Sequence, residues 1–465
     1  MTTTSTTIAS GIAAVIASPH LIEDPAQLAA YEIEGMKPAA AVRPGTSEEV
    51  AEVVKFAAAA KLALVTCGAR TKLSMGMPPQ RYDLALDLSR LDRVVAYDPG
   101  DLTLSVEAGV PLAKLAEVLA KHGQFLPLMV PYLRSATVGG TVASGVDAPL
   151  RQAYGTARDF ILGMEFVTGE GSLVKSGGRV VKNVTGYDLH KLMAGAMGTL
   201  GAITKINFRT FPRLGSSRAF VAAFDGAADA LAMRHRIGQS SLSPLTLEIL
   251  SPSAAGLFSS DAAARIEPAP YDANVLSSMH WTLTAGFAGN DRVLERYGSD
   301  LGRMARESGA VSVKVLAENE LSGAFGRKRE FVPIALDSSP ATTIVKIGVL
   351  PRHMKDIFAA AANAADAAGL RWVAMARGVG VIYLALLPSD RNDDSHRRVA
   401  QFTEKVLPAA AEAGGHATIP WCPSGWKTSL RVWGLGRSDL PQMQKLKAVF
   451  DPHNVFSPGR FVGRL

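Results

Sequence analysis

Two clusters of glycine and other small residues mark where this chain could carry out chemistry. Gly195, Gly198 and Gly201 recur every three residues, where a predicted helix gives way to a predicted strand at 202–208. The second cluster, residues 136–145, reads ATVGGTVASG. Because glycine has no Cβ, such backbone can lie against a flat ligand and direct N–H groups at its oxygen atoms. The clusters favour a bound flat cofactor; helix termination and a tight turn would explain only one or two of these glycines.

A third segment has the composition of an anion-binding turn. It follows a predicted strand at 62–66 and consists of Gly68, Ala69, Arg70, Thr71 and Lys72. Its backbone amides could surround an anion, and the arginine, threonine or lysine could add charge or a hydroxyl group. From these residues alone, an ordinary surface turn is the preferred interpretation.

Several common motifs are missing from the sequence. Residues 195–201 do not fit G-x-G-x-x-G, and they follow a helix where a Rossmann fingerprint must follow a strand. Residues 425–428 resemble the end of a P-loop, but Pro420 stands where the upstream glycine is required. The two cysteines, Cys67 and Cys422, are too few for an iron–sulfur cluster held by four thiolates or for a disulfide framework.

The predicted elements indicate an α+β protein. A capping box at 46–49 opens a helix, residues 111–122 form an amphipathic helix, and 160–167 with 172–175 read as a hairpin. From 218 to about 419 strand-like and helical runs alternate, which predicts a sheet with helices on one face.

The segment 186–204, GYDLHKLMAGAMGTLGAIT, resembles the flavin-domain signature of the vanillyl-alcohol oxidase type, the PCMH-type FAD-binding domain. Within that superfamily the chain is similar to the FAD-binding E subunit of bacterial glycolate oxidase. The likeness covers roughly 41–212 and resumes at 450–460, FDPHNVFSPGR. It implies an N-terminal arm (1–35), a two-subdomain FAD-binding domain (36–213), an α+β cap domain (214–430) and a C-terminal segment that returns to the FAD domain (431–465).

The resemblance also implies which residues bind FAD. The turn at 68–72 would wrap the pyrophosphate, the segment 137–145 would line the flavin edge with Thr141 and Ser144 as hydroxyl donors, and a third segment would lie beside the adenosine. The full set is Gly68, Ala69, Arg70, Thr71, Lys72, Thr137, Val138, Gly139, Gly140, Thr141, Ser144, Gly145, Tyr154, Gly155, Arg158, Asp159, Gly198, Gly201 and Ile203. A salt bridge is the structural alternative for Asp159. Relatives with a covalent flavin carry a histidine in the region 65–80, which here has none, so noncovalent FAD is expected.

One departure from the related hydroxyacid dehydrogenases concerns a metal site. Relatives of the D-subunit type carry metal-binding histidines in an H-A-G-x-G-N-x-H-like strand, and the similar stretch here is ARGVGVIY, residues 376–383. We interpret Arg377 as replacing the first histidine and Tyr383 the second, so no metal is expected. Arg377 could hold a substrate carboxylate or could stabilise the sheet edge.

The implied activity is FAD-dependent oxidation of a 2-hydroxyacid such as glycolate or D-lactate. Arg377, Lys427 or Arg431 would hold the substrate carboxylate, and His280 and His416 are weak candidates for the base. The resemblance implies two partners, a second flavoprotein subunit and an iron–sulfur subunit. The alternatives are a flavin electron-relay subunit without a substrate site, and a stand-alone alcohol or lactone oxidase.

Charge and hydropathy set the expected environment. The net charge of +7 is spread along the chain without a basic patch, which argues against a nucleic-acid partner. The apolar run near the N-terminus lacks a preceding lysine or arginine, and no stretch reaches the roughly 20 apolar residues of a membrane span. We expect a cytoplasmic protein, with any contact to the inner membrane made through a partner.

Overall fold

The computed structural model describes residues 11–12, 15–16, 20–179, 186–269, 272, 275–317 and 325–465. Within them, the N-terminal part is built on two sheets. A four-stranded sheet has the spatial order Leu21–Ile22, Ala40–Val42, Leu84–Asp87 and Leu64–Cys67, of which the last three are parallel. A five-stranded antiparallel sheet has the order Val94–Asp98, Thr103–Glu107, Ala202–Arg209, Ile161–Val167 and Leu173–Gly177.

Helices and one short ladder surround these two sheets. Gln124–Phe125 pairs with Phe211–Pro212. The described α-helices of this part are Pro25–Leu28, Ser47–Ala59, Leu112–Ala120, Val138–Ser144, Arg151–Tyr154, Ala157–Phe160 and His190–Met193. The predicted capping box is half formed. Thr46 Oγ1 accepts from the Glu49 amide at 3.1 Å, but the Glu49 carboxylate accepts from the Gly45 amide.

The second part is one eight-stranded antiparallel sheet. Its spatial order is Ser312–Leu316, Ser217–Phe224, Trp281–Ala288, Thr246–Leu250, Trp372–Arg377, Val381–Leu386, Thr343–Gly348 and His416–Trp421. The long helices pack on one face of it: Ala227–Gln239, Asp291–Glu307, Met354–Ala368 and Asp393–Glu412. The prediction of helices on one face is incomplete, because Ser253–Phe258, Asp261–Ile266 and Phe331–Ser338 pack on the other.

Side chains alternate between the two faces of this sheet. Phe220 and Leu384 point into the core under the long helices, whereas Val221 and Ala385 point to the opposite core. A strand buried on both faces needs apolar residues at nearly every position, which explains why these strands read as continuous apolar runs. The expected α+β class, with an N-terminal part followed by a second part built on one large sheet, is confirmed.

The segment after the large sheet contacts the first sheet of the N-terminal part. The helix Leu440–Phe450 is followed by a chain that pairs with the strand Leu64–Cys67. The Leu64 amide donates to the Val455 carbonyl at 2.7 Å, and the Ser457 amide donates to the Leu64 carbonyl at 2.7 Å. Phe450, Val455 and Phe456 are buried in the core of the N-terminal part.

Candidate functional site

A cavity in the N-terminal part brings together many of the residues singled out from the sequence. Its walls come from the turn at 68–72, the helix Val138–Ser144 and the segment 197–203. The predicted cofactor residues that line it are Gly68, Ala69, Arg70, Thr71, Lys72, Thr137, Gly139, Gly140, Ser144, Gly198, Gly201 and Ile203.

The turn at 68–72 presents unpaired backbone donors to this cavity. The amides of Ala69, Arg70, Thr71 and Lys72 have no acceptor among the described residues. Arg70 has φ 60°, a left-handed conformation that lets successive N–H groups converge. Consecutive amides of this kind form a concave anion site. An ordinary surface turn would satisfy them with water, but here they face a lined cavity.

The two cations of the turn differ in their availability. Arg70 Nη1 lies 3.0 Å from Asp87 Oδ2, and its guanidinium lies 4.7 Å from the centroid of the Tyr31 ring. Lys72 donates to its neighbour Thr71 Oγ1 at 3.0 Å and forms no ion pair with any described residue. Burial lowers the pKa of Lys72 to about 8, against the opposing effect of Glu330. Lys72 is therefore the side chain of the turn that could meet an anionic ligand.

The helix Val138–Ser144 uses its small residues for packing as well as for lining the cavity. Thr137 caps it by accepting from the Gly140 amide at 3.3 Å, and a Cβ on Gly139 would lie 2.6 Å from that of Ala108. Gly145 ends the helix with φ 59°. The two hydroxyl donors expected here are committed or buried. Ser144 Oγ donates to the Gly140 carbonyl at 2.7 Å.

Thr141 and Val138 do not line the cavity, although they lie on the same helix. Thr141 is 2% exposed, and its hydroxyl has no hydrogen-bond partner among the described atoms. Val138 is fully buried in the core. Both side chains are therefore buried in the protein and do not border the cavity.

The glycines at 195, 198 and 201 have three separate roles. Gly195 (φ 84°) donates to the Val142 carbonyl at 2.9 Å and packs on Gly145, so the two glycine clusters touch directly. Gly198 has φ 68°, and a Cβ there would have no neighbour closer than 3.9 Å. At Gly201 a Cβ would lie 2.7 Å from the Val167 carbonyl oxygen. Part of the glycine pattern therefore reflects close packing of backbone on backbone.

Four further predicted cofactor residues lie outside the cavity lining, in addition to Val138, Thr141 and Gly145. Tyr154 packs edge-on against Phe125 and Phe211, and Gly155 follows with φ 77°. Asp159 accepts from the Thr156 amide and hydroxyl, both at 2.7 Å, and so caps its helix; these hydrogen bonds lower its pKa against the opposing effect of burial. Arg158 Nε donates to the Lys191 carbonyl at 3.3 Å.

The segment before the signature helix lies partly outside the described residues, which omit Lys182 and Asn183. Asp188 precedes the signature helix but does not cap it. The cap position of His190–Met193 is Leu189, and Asp188 instead accepts from Lys191 Nζ at 2.6 Å.

Arg460 is a cavity residue that sequence reasoning missed. It is 4% exposed, and its guanidinium donates to the carbonyls of Met75 at 3.0 Å and Leu73. Burial lowers its pKa to about 10. The resemblance at 450–460 ends on this residue, but no local pattern indicates that it holds the loop after the turn. Thr66 and Cys67 also line the cavity; the buried Thr66 hydroxyl has no hydrogen-bond partner among the described residues.

The charged groups expected to hold a substrate lie elsewhere. Arg377 Nε is 3.2 Å from Asp147 Oδ2, and its Nη1 contacts Glu248 Oε1. Lys328 Nζ is 2.7 Å from Glu248 Oε2, and burial lowers its pKa to about 7. Arg151 Nη1 lies 3.2 Å from Asp147 Oδ1. We call these five residues the cap charge cluster; in it Arg377 is neutralised by two buried carboxylates.

Neither of the other two predicted clamps reaches the cavity. Lys427 is 1% exposed on its side chain, contacts Glu34 and donates to the Ser74 carbonyl at 2.6 Å. Arg431 is exposed.

The two histidine candidates also lie outside the cavity lining. His280 Nδ1 is 2.8 Å from Ser277 Oγ, and its Nε2 is 3.4 Å from Asp225. Burial lowers the pKa of His416.

The segment 376–383 has no histidine at either histidine position of the H-A-G-x-G-N-x-H-like pattern. Position by position, Ala376 stands opposite the first histidine of the pattern, and Arg377 stands next to it. Tyr383 is buried, which raises the pKa of its hydroxyl. In the described part of the chain no group of three or more His, Cys, Asp or Glu side chains could hold a metal ion.

Comparison with protein families identifies this architecture. The model described as "FAD linked oxidases, C-terminal domain" matches residues 215–419 and 433–461, which is half of the chain, and "FAD binding domain" matches 38–177. The chain belongs to the FAD-linked oxidase family. It is therefore an FAD-linked oxidoreductase, and the cavity lies between segments of its N-terminal, FAD-binding half.

Curated relatives match this family member over different lengths. Glycolate oxidase subunit GlcD of Bacillus subtilis (strain 168) is 25% identical over 92% of this chain and 89% of its own length. D-lactate dehydrogenase of Anaerostipes hadrus is 26% identical over 92% and 90%. Glycolate oxidase subunit GlcE of Escherichia coli (strain K12) is 39% identical, but over only 36% of this chain and 47% of its own length.

Solved structures share the fold across nearly the whole chain. p-Cresol methylhydroxylase superposes with a TM-score of 0.78 at 19% identity, covering 98% of this chain and 96% of its own. Alkyldihydroxyacetonephosphate synthase gives 0.73 at 17% identity, covering 98% and 86%. Among the described residues, no helix has the length and apolar content needed to traverse a bilayer.

Proposed function

We propose that the cavity holds FAD, with its pyrophosphate on the amides of the turn at 68–72. The observation that carries this proposal is the run of unpaired amides at 69–72 beside Lys72, facing a cavity in the FAD-binding half. Thr137, Gly139, Gly140, Ser144, Gly198, Gly201 and Ile203 would form the remaining walls. Val138, Thr141, Gly145, Tyr154, Gly155, Arg158 and Asp159 would act by positioning those walls.

We further propose that FAD is bound noncovalently. The region 65–80 contains no histidine, and Cys67 is buried, which raises the pKa of its thiol and keeps it protonated. Acid precipitation of the purified yellow protein should leave the flavin absorbance in the supernatant. Flavin that stays with the denatured chain would contradict the proposal, and mass spectrometry of the peptide containing Cys67 would then locate the bond.

The proposed reaction is oxidation of a 2-hydroxyacid of the glycolate or D-lactate class. The acid loses a hydride from Cα and a proton from its hydroxyl group, which gives the 2-oxoacid. FAD supplies the hydride acceptor, and this chain supplies binding, orientation and the exclusion of water. The names of the relatives at 25–26% identity over nine-tenths of the chain support this substrate class.

Within that reaction we propose the role of an FAD-binding subunit that passes electrons to a second flavoprotein and an iron–sulfur protein. Two features support it: Arg377 is occupied by Asp147 and Glu248, and alanine and tyrosine stand at the metal-histidine positions. The 39% identity to a GlcE subunit points the same way. The near-complete coverage of GlcD and D-lactate dehydrogenase favours a second candidate, a subunit with its own dehydrogenase activity.

Dye-linked turnover separates these two candidates. The purified chain, with its flavin content measured, should reduce a dye only weakly with glycolate, D-lactate or 2-hydroxyglutarate. Co-expression with the neighbouring flavoprotein and iron–sulfur protein of the native host should restore turnover. Full turnover by the chain alone would overturn the relay role and leave FAD binding intact. Peroxide formation from an alcohol by the chain alone would indicate a stand-alone oxidase.

A further inference from the structure

A second cavity lies between the N-terminal part and the large sheet, away from the proposed FAD site. One wall is the helix Leu112–Ala120 with the segment 124–133, and the other comes from the strands Ser217–Phe224 and Trp281–Ala288. Its volume is about 630 Å³, within the range of pockets that bind small organic ligands. We call it the leucine cleft, because its lining includes the nearly buried Leu112, Leu115, Leu119 and Leu128 and the partly exposed Leu126 and Leu133.

The polar groups of the leucine cleft fall into two sets. Gln124 is satisfied internally: it accepts from Thr210 Oγ1 at 2.6 Å and donates to the Pro99 carbonyl at 2.7 Å. Thr246 Oγ1 accepts from the Gly286 amide at 3.2 Å. Arg213 and Arg218 differ, since neither side chain forms an ion pair or hydrogen bond within the described part of the chain. Among the described residues, none of those that line the cleft is acidic.

A short ladder separates the leucine cleft from the FAD cavity. The Leu112 amide donates to the Ala136 carbonyl at 2.9 Å, and the Val138 amide donates to the Val110 carbonyl at 2.9 Å. Leu112 faces the cleft, whereas Thr137 faces the FAD cavity. A ligand of the cleft would therefore be additional to the cofactor.

We propose that the leucine cleft binds a single-chain amphiphile with an anionic head, of the fatty-carboxylate class. Its hydrocarbon chain would lie along the apolar lining, which includes the partly exposed Leu126, Met129 and Leu133, and its carboxylate would meet Arg213 and Arg218. Two guanidinium groups with no acidic neighbour among the described lining residues complement an anion, and guanidinium–carboxylate pairs are among the stronger hydrogen-bonded contacts. A hydroxyacid of two or three carbons has no hydrocarbon chain that could contact the apolar lining. This binding is independent of the proposed oxidation.

The head-group part of the proposal is tested with dodecanoate as the probe. Titration of the full chain, as purified with its flavin, should show saturable binding, while dodecanol binds at least about tenfold more weakly because it lacks the charge. The double variant Arg213→Gln/Arg218→Gln should lose about tenfold in affinity for dodecanoate and none for dodecanol. Arg209→Gln is the matched control, because Arg209 lies over Phe211 outside the cleft lining.

The chain-binding part is tested by filling the cleft. Ala116 and Ala120 line it yet are solvent-exposed, so Ala116→Phe and Ala120→Phe should fold normally and abolish dodecanoate binding. Flavin absorbance should not change on saturation, since the two cavities are separate. Equal affinity for dodecanol, loss of flavin on titration, or binding only to vesicles of anionic phospholipid would each overturn the proposal.

Discussion

The FAD cavity and the cap charge cluster handle polar groups in opposite ways. The cavity is lined largely by backbone and small side chains, and the amides of 69–72 have no acceptor among the described residues. The cap charge cluster is built from long charged side chains, and Arg377 is satisfied by Asp147 and Glu248. The FAD cavity therefore has backbone donors that no described residue accepts from, whereas the charged groups of the cap charge cluster are paired with one another.

The difference shows which charges are available for chemistry. A buried ion pair offsets its desolvation only when its geometry is good, and its groups are then committed to each other. A positive charge in the interior is therefore not evidence of an anion site until its partners are known. Lys72 and the amides beside it meet that criterion, whereas Arg377 and Lys427 do not.

Breaking the cap charge cluster should produce the largest effect. Arg377→Ala removes the cation that Asp147 and Glu248 share and leaves each carboxylate with one partner, Arg151 or Lys328, which should lower the free energy of unfolding by about 3 kcal/mol, the lower end for a broken buried pair. Denaturant unfolding followed by circular dichroism measures it, and flavin content per folded chain should stay normal. Arg371→Ala, at an exposed arginine just before the same strand, is the control and should change stability little. Loss of flavin from folded Arg377→Ala would contradict the separation of the two regions.

A change in the cavity backbone should instead affect FAD binding more than folding stability. Gly198→Val places a branched side chain at φ 68° beside the cavity. The left-handed backbone conformation should cost a valine about 1–3 kcal/mol of strain. Because this backbone borders the proposed FAD site, relieving the strain should displace it and weaken FAD binding by up to about 100-fold. Flavin fluorescence on dilution measures the affinity.

The matched control is Gly309→Val. Gly309 has φ 80° in the second part, also with open space around it. It should cost similar stability without affecting FAD. If both variants lose flavin equally, Gly198 is only a turn residue.

The smallest effect should come from Lys72, the cation of the turn that forms no ion pair with a described residue. Lys72→Met should weaken FAD binding about tenfold at pH 7 by removing a charge beside the pyrophosphate. The wild-type affinity should fall as the pH rises through about 8, because Lys72 then loses its proton in the free protein. Lys72→Met should lose this pH dependence, and the exposed Lys405→Met should keep it. Identical pH profiles for wild type and Lys72→Met would show that Lys72 does not meet the cofactor.

The local sequence predicted individual helices and strands well, but it predicted less well which elements pack together. The hairpin expected at 160–167 and 172–175 is present as Ile161–Val167 and Leu173–Gly177, and the helix expected at 111–122 is Leu112–Ala120. Turn chemistry and apolar periodicity act over a few residues, so one sequence carries them. The short helices on the second face of the large sheet were missed, because which face an element covers depends on distant contacts.

The same division applies to the site. The segments around the cavity were predictable because close backbone approach requires glycine, as at Gly198. The roles of Arg460 and Arg377 were not, because their partners lie hundreds of positions away, at Leu73 and Asp147. Tyr154 and Asp159 were assigned to the cofactor through the family pattern, and the structure places them in an aromatic contact and a helix cap.

The hydrogen bonds from Arg460 to the loop at 73–77 have a consequence for the order in which the chain folds during synthesis. The loop at 73–77 follows the FAD turn directly, yet it is held by a guanidinium that leaves the ribosome 387 residues after Leu73. N-terminal segments generally fold first during translation, but this one must wait for the whole intervening sheet. Contacts of such long range also slow folding. We therefore expect the loop at 73–77 to become ordered, and FAD to bind tightly, only after translation has passed residue 460.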